Sequence, residues 1–260
     1  MNESLRGFRL DEEQSLGPPE VRISGQSDDH SNTPIIDDGI GYIVRGEESH
    51  QEEGFVIFLD ALGMKGIWQH YPFNQVVRLW RNAIRSFMDS LQRHQSNLNA
   101  TSRFRVLSDT IIITIPTTLT GLNIGQVFDM LLEPFITSIK NHMLFRGTIS
   151  YGQYFISPRL LLGPALDEAA AHNNKLDWIG IALTPELAAD ISSIKFGTTS
   201  AIWFDKVPHK NLKTYRSAVL DWPQHDRGSA CNQILQNKYR SSPDKEKYRK
   251  TFEFHAAHRR

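Results

Sequence analysis

Apolar residues fall along this chain in two rhythms. Phe55-Val56-Ile57-Phe58-Leu59 is an unbroken apolar run that stops on Asp60, the pattern of a buried strand handing a carboxylate to a sheet edge. Beyond Gly63 and Gly66, Val76, Val77, Trp80, Ile84, Phe87, Met88 and Leu91 recur at helical spacing and predict a helix over 72–95. Residues 103–115 predict a hairpin closed by Pro116, with Asp109 at its tip. A helix over 122–142 follows on Val127, Met130, Leu131, Phe135 and Ile139, with Pro134 as a kink or local break. A strand over 145–151 runs on through Gly152 into Tyr154-Phe155-Ile156. A short helix over 164–173, a strand over 178–183, a helix from Pro185 behind an N-capping Thr184, and strands near 200–205 and 215–220 complete the pattern.

The first six elements read β-α-β-β-α-β, the order of a ferredoxin-like unit. The expected class is α+β, a central, mostly antiparallel sheet flanked by helices. Residues 1–52 are polar apart from Ile35-Ile36 and Tyr42-Ile43-Val44 and read as a partly ordered leader. Residues 53–222 read as the catalytic domain, and 223–260, rich in Lys and Arg, as a polar extension of one or two surface helices.

Composition narrows the functions. With 260 residues and 40% hydrophobic content the chain can bury one good core. Lys+Arg and Asp+Glu balance at 29 each, which argues against a nucleic-acid coat protein or a polybasic membrane binder. A lone cysteine, Cys231, excludes an internal disulfide and a multi-cysteine zinc site. No stretch approaches the length of a spanning helix, and the polar, acidic start is unlike a signal peptide, so a cytoplasmic protein is expected.

The chemistry lies in the two aspartates. If their strands are neighbours, Asp60 and Asp109 sit side by side above one sheet, where they repel unless protonated or neutralised. A pair of divalent cations is the usual neutraliser, and carboxylates suit Mg²⁺ or Mn²⁺ rather than zinc. An aspartate at a strand end is also an ordinary turn or N-cap residue. The segment Ala61-Leu62-Gly63-Met64-Lys65-Gly66 follows directly; its glycines allow close backbone approach to phosphates, and Lys65 adds a cation or is simply solvated. Arg105 is placed either to donate to a base carbonyl or to pair with a carboxylate. Tyr151 reads as packing; Asp167 and Glu168 as residues favoured in the first turn of a helix; His172, Asn173 and Lys175 as candidates for a further cation.

With the elements in place, Phe58-Leu59-Asp60-Ala61-Leu62-Gly63, the Ser108-Asp109-Thr110 hairpin, Arg146-Gly147-Thr148-Ile149-Ser150-Tyr151-Gly152, Gly163-Pro164-Ala165-Leu166-Asp167-Glu168-Ala169 and Trp178-Ile179-Gly180-Ile181-Ala182-Leu183 resemble, in order and spacing, the core of class III nucleotide cyclases. The chain looks most like the pyrimidine cyclases of the bacterial antiphage system called Pycsar, over roughly residues 54–190. The resemblance implies that Asp60 and Asp109 are catalytic and hold two Mn²⁺ or Mg²⁺ ions, with the carbonyl of Ala61 as a further ligand. It implies substrate contacts at Leu62, Gly63, Met64, Lys65, Arg105 and Arg146. Leu160, Asp167 and Ala171 stand where purine cyclases carry a base-reading residue and the Asn and Arg that meet the transition state, a departure that favours a pyrimidine.

The implied reaction converts UTP to 3′,5′-cyclic UMP and pyrophosphate, with cytidylate cyclisation as the alternative. The implied setting is antiphage signalling through a separate effector that senses the cyclic nucleotide, with a homodimer carrying its sites at the interface and no nucleic-acid or membrane partner. Two other readings stand beside it. A catalytically inactive nucleotide sensor is one. The other is a haloacid-dehalogenase-like phosphatase, which needs an aspartate where Leu62 stands.

Overall fold

The computed structural model describes residues 35–36, 42–43, 50–64, 67–98, 102–210, 214–226, 230–242 and 245–258. The chain divides into two units, Met1–Gly46 and Glu47–Arg260. In the first, β1 (Ile35–Ile36) and β2 (Tyr42–Ile43) form a small antiparallel pair. The rest of the expected leader up to residue 49 lies outside the described residues, as do Lys65 and Gly66.

The second unit opens on β3 (His50–Leu62), followed by α1 (Ile67–His70), α2 (Phe73–Leu98), the hairpin β4 (Arg103–Leu107) and β5 (Thr110–Ile115), α3 (Gly121–Lys140) and β6 (Leu144–Ile156). The sheet order of these four strands is β4-β5-β3-β6, all antiparallel. That is the interleaved arrangement of a ferredoxin-like unit, in which each helix carries the chain across one intervening strand. The expected α+β class and the element order both hold. β3 starts at His50, five residues before the apolar run, because Gln51, Glu52 and Glu53 pair with Phe155, Tyr154 and Gln153 through the backbone. Polar side chains there still find partners: Glu52 meets Arg103 at 2.6 Å and the Tyr154 hydroxyl at 3.0 Å.

β7 (Leu161–Leu162) adds to the end of β6, then come α4 (Pro164–Asn173), β8 (Gly180–Leu183) parallel to β6, α5 (Pro185–Asp190), and the hairpin β9 (Ala201–Pro208) with β10 (Thr214–Leu220), which joins β8 antiparallel. Pro134 sits inside α3 without ending it. Thr184 does precede α5, but its side chain makes no capping bond.

The sheet has two unlike faces. Phe55, Ile57, Leu59, Ile111, Ile113 and Phe145 point into the main core with α2 and α3. Val56, Ile112, Tyr154 and Ile156 point the other way, against Ala165 and Ala169 of α4. α4 is seated in register: the Ser150 hydroxyl donates to the carbonyl of Ala165 at 2.6 Å, and that of Thr148 to the carbonyl of Ala169 at 2.7 Å. Four helical residues rise about 6 Å and two strand residues about 6.6 Å, so the two rows stay matched.

The C-terminal segment forms α6 (Trp222–His225), α7 (Ala230–Ser241) and α8 (Glu246–His258). Its composition reads as surface, yet Trp222, Cys231, Leu235 and Phe254 are fully buried in the main core. Few apolar residues suffice because they are large and fall on the inner face of each helix. Phe254 meets Trp178 edge-on at 5.0 Å.

Candidate functional site

Asp60 lies near the end of β3, directly across from Thr110 on one side and Arg146 on the other. It shares its face with Val56 and Phe58, so it points to the α4 side, away from the main core. Asp109 occupies the two-residue turn between β4 and β5, entered through Ser108 at φ +55°. Its carbonyl accepts the Ala61 N–H at 2.8 Å, so the hairpin tip is stitched to the strand that bears Asp60. The two acids are brought to one end of the sheet, and the charge of Asp109 acts on Asp60.

Arg146 is buried and holds Asp60: Nη2 donates to Asp60 Oδ2 at 2.6 Å, and Nη1 to the Leu176 carbonyl at 2.8 Å. Burial nonetheless pushes the Asp60 carboxyl above the ordinary aspartate range; Arg146 opposes that, and the nearby Asp109 adds to it. Arg146, expected to meet a ligand directly, therefore acts first on the acid.

Among the described residues no group of three or more His, Cys, Asp and Glu side chains is placed to hold a metal ion. A smaller oxygen set does fit one. In an antiparallel strand a residue's N–H and C=O face the same neighbour, so the Ala61 carbonyl faces the Asp109 hairpin, as its N–H does. Asp60, Asp109 and that carbonyl are the hard oxygens that could hold Mg²⁺ or Mn²⁺, and a cation there would offset the burial and the Asp109 charge that raise Asp60.

Gly63, at φ +82°, turns the chain immediately past the acids, and a side chain there would meet nothing within 4 Å. Leu62 still pairs with Leu144, and the Met64 carbonyl accepts the Ile67 N–H. Arg105 is turned to the backbone, donating to the carbonyl of Ser157 at 3.0 Å and to that of Phe104 at 3.3 Å. Tyr151 packs edge-on against Phe55 at 5.2 Å on the core face, the packing role expected of it. His172 meets Glu186 at 3.1 Å. Asp167 and Ala171 lie exposed on α4, and Leu107, Leu160 and Leu162 are exposed as well.

One residue escapes sequence reasoning. Lys210, at the tip of the β9–β10 hairpin, interacts electrostatically with Arg146, Asp177 and Asp60. Burial and Arg146 pull its ammonium below the ordinary lysine range, while the two acids pull the other way. Only tertiary folding brings it here, through the bond from its N–H to the Lys175 carbonyl at 2.8 Å. Nothing in the local sequence announces it.

No family model matches the chain, and no curated protein does. Solved structures similar to it are nucleotide cyclases. The catalytic core of a rhodopsin-guanylyl cyclase with converted specificity, in complex with ATPαS, is 12% identical over 66% of this chain and 98% of its own, with a TM-score of 0.49. A bacterial light-regulated adenylyl cyclase is 16% identical over 75% of this chain and 58% of its own, at 0.47. The adenylyl cyclase CyaB from P. aeruginosa is 10% identical over 66% and 95%, also at 0.47. Likeness at this level assigns no activity to the chain.

Proposed function

We propose that this chain is a nucleotide cyclase acting on a pyrimidine triphosphate, with UTP favoured over CTP, and that it forms 3′,5′-cyclic UMP with release of pyrophosphate. The observation that carries this is the convergence of Asp60 and Asp109 beside the Ala61 carbonyl at one end of a ferredoxin-like sheet. Such a set would hold one or two divalent ions, which when bound lower the pKa of a ribose 3′-hydroxyl and neutralise phosphate charge. The chain's own task is positioning: in-line attack on an α-phosphorus needs alignment and charge more than covalent help. Gly63 opens the backbone to the phosphates, and Leu62 and Met64 frame that approach. Lys210 supplies a cation next to the acids, in the role expected of Lys65. Arg146 holds Asp60 in place.

Arg105 donates hydrogen bonds and accepts none, which suits uracil O4 better than the cytosine amino group. In a homodimer a second copy would cover the exposed Leu107, Leu160 and Leu162, and its Arg105 would supply the base contact. A role in antiphage signalling through a cyclic-nucleotide-sensing effector rests on the sequence resemblance alone.

Pyrophosphate release measured with each of the four ribonucleoside triphosphates in Mn²⁺ tests the reading. UTP turnover that disappears in Asp60→Ala and in Asp109→Ala is the expected result. Turnover of purines alone, or wild-type rates in either variant, overturns it.

A further inference from the structure

Residues 175–179 belong to no strand or helix, yet they bear on the acids: the Leu176 carbonyl is one of the two anchors of Arg146, whose other anchor is Asp60. The segment takes its shape from what is tied to it. Leu176 is held by the end of α4, its N–H donating to the His172 carbonyl at 3.2 Å, and it pairs with His209; further ties come from the C-terminal helix. Lys250 Nζ reaches Asp177 Oδ2 at 2.7 Å, with the lysine side chain only 9% exposed. The Ile179 N–H donates to Thr251 Oγ1 at 2.9 Å, and that hydroxyl donates in turn to the Lys247 carbonyl at 2.6 Å. Between these two bonds Trp178 is wedged, fully buried, against Phe254. The β9–β10 hairpin ties the other flank, through Asp177 N–H to the Pro208 carbonyl at 3.2 Å and Lys210 N–H to the Lys175 carbonyl at 2.8 Å.

The geometry points to α8 as a strut beneath the candidate site: Lys250 and Thr251 are positioning residues that help fix residues 176–179, and through the Leu176 carbonyl fix Arg146 and the carboxylate of Asp60. A lysine is rarely buried without a partner, and this one is spent on an acid one residue from the carbonyl that orients Arg146. The consequence for metal loading rests on the cyclase reading above; the mechanical link from α8 to Arg146 does not.

The test separates the two. In wild type, the Nη groups of Arg146, clamped by two acceptors, are expected to give resolved and slowly averaging ¹⁵N side-chain signals. Thr251→Val and Lys250→Met are expected to collapse those signals while the amide spectrum stays dispersed, and Lys250→Arg, which keeps the ion pair, to retain them. Because Lys250→Met removes the ion pair of Asp177 and risks unfolding, Thr251→Val carries the decision if it does unfold. Unchanged Arg146 signals in the folded variants overturn the proposal, since a helix that merely adds stability would leave them alone. Titration with Mn²⁺ alone then reads the consequence: binding about 10- to 100-fold weaker in the same variants, the loss expected when an outer support of a metal ligand is removed. Wild-type protein that fails to bind Mn²⁺ removes the metal reading of Asp60, and the Arg146 signals still decide whether α8 is the strut.

Discussion

Asp60 is a group pulled both ways. Burial and Asp109 raise its pKa, and Arg146 lowers it. A carboxylate must shed its proton to bind a cation, so Mn²⁺ affinity rises with pH through the raised pKa of the folded state. Arg146→Gln removes the lowering influence and is expected to move that acid limb to higher pH, as read from Mn²⁺ binding measured across pH 4–8. A limb that stays put or moves down contradicts the pairing. The linkage to stability has the opposite sense. A raised carboxyl pKa means that the folded state keeps its proton longer, so Asp60 favours folding below pH 3.8 and loses that contribution as pH climbs through its folded value. Cys231 is quieter than its polar flanks suggest: it is fully buried, its thiol pushed up to about 12 by burial and Asp226. It is expected to resist thiol reagents at pH 8 in the native protein and to react at once in denaturant. Rapid native labelling would show that α7 opens readily.

Elements were legible in the sequence wherever apolar spacing ran long. α4 was predicted to its end residues, because Gly163-Pro164 marks its start and a packed row of alanines its inner face. The longer extent of β3 and β6 was not legible, because backbone pairing, not side-chain polarity, carries strands past their apolar runs. The burial of α7 and α8 was missed for a related reason. Their mean polarity hides a few large inward residues, and the pairs that seat α8, Lys250–Asp177 and Thr251–Ile179, join positions more than seventy residues apart. Asp60 and Asp109 were readable as a pair because a short hairpin and a single register bring them together; Lys210 was not, because its approach depends on how a whole hairpin folds over. Two predictions test the elements. Thr120 caps α3, accepting the Asn123 N–H at 3.1 Å, so Thr120→Ala should cost about 1 kcal/mol in denaturant melts. Gly147 lies across from Leu59 in the centre of the sheet, where an added Cβ would come within 2.5 Å of Leu59 Cδ2 and 3.2 Å of the Phe58 carbonyl. Gly147→Ala should therefore destabilise by roughly 1–3 kcal/mol, an overpacking cost, and a neutral outcome would mean that the sheet yields there.

At the scale of the whole molecule, Asp60 lies on the α4 side of the sheet, on the face that also bears Arg105 and the exposed Leu107. Arg105 aligns with Ile112 and Phe58, two residues along β3 from Asp60, and it is turned toward the Ser157 carbonyl rather than toward the acids. One copy is therefore not expected to apply its own Arg105 and its own acids to the same nucleotide. In a two-fold dimer each site would draw the acids from one copy and the base contact from the other. Asp60→Ala and Arg105→Ala would then each be inactive alone. Mixed in equal amounts and allowed to exchange, half of the dimers would be hybrids, each with one intact site of two, restoring about a quarter of wild-type turnover. Carrying both substitutions on one chain and mixing it with wild type gives the same number of intact sites, so the two mixtures should match. If the first mixture stays dead while the second works, acids and Arg105 act within one copy, and the shared-site arrangement is wrong even if cyclisation itself is confirmed.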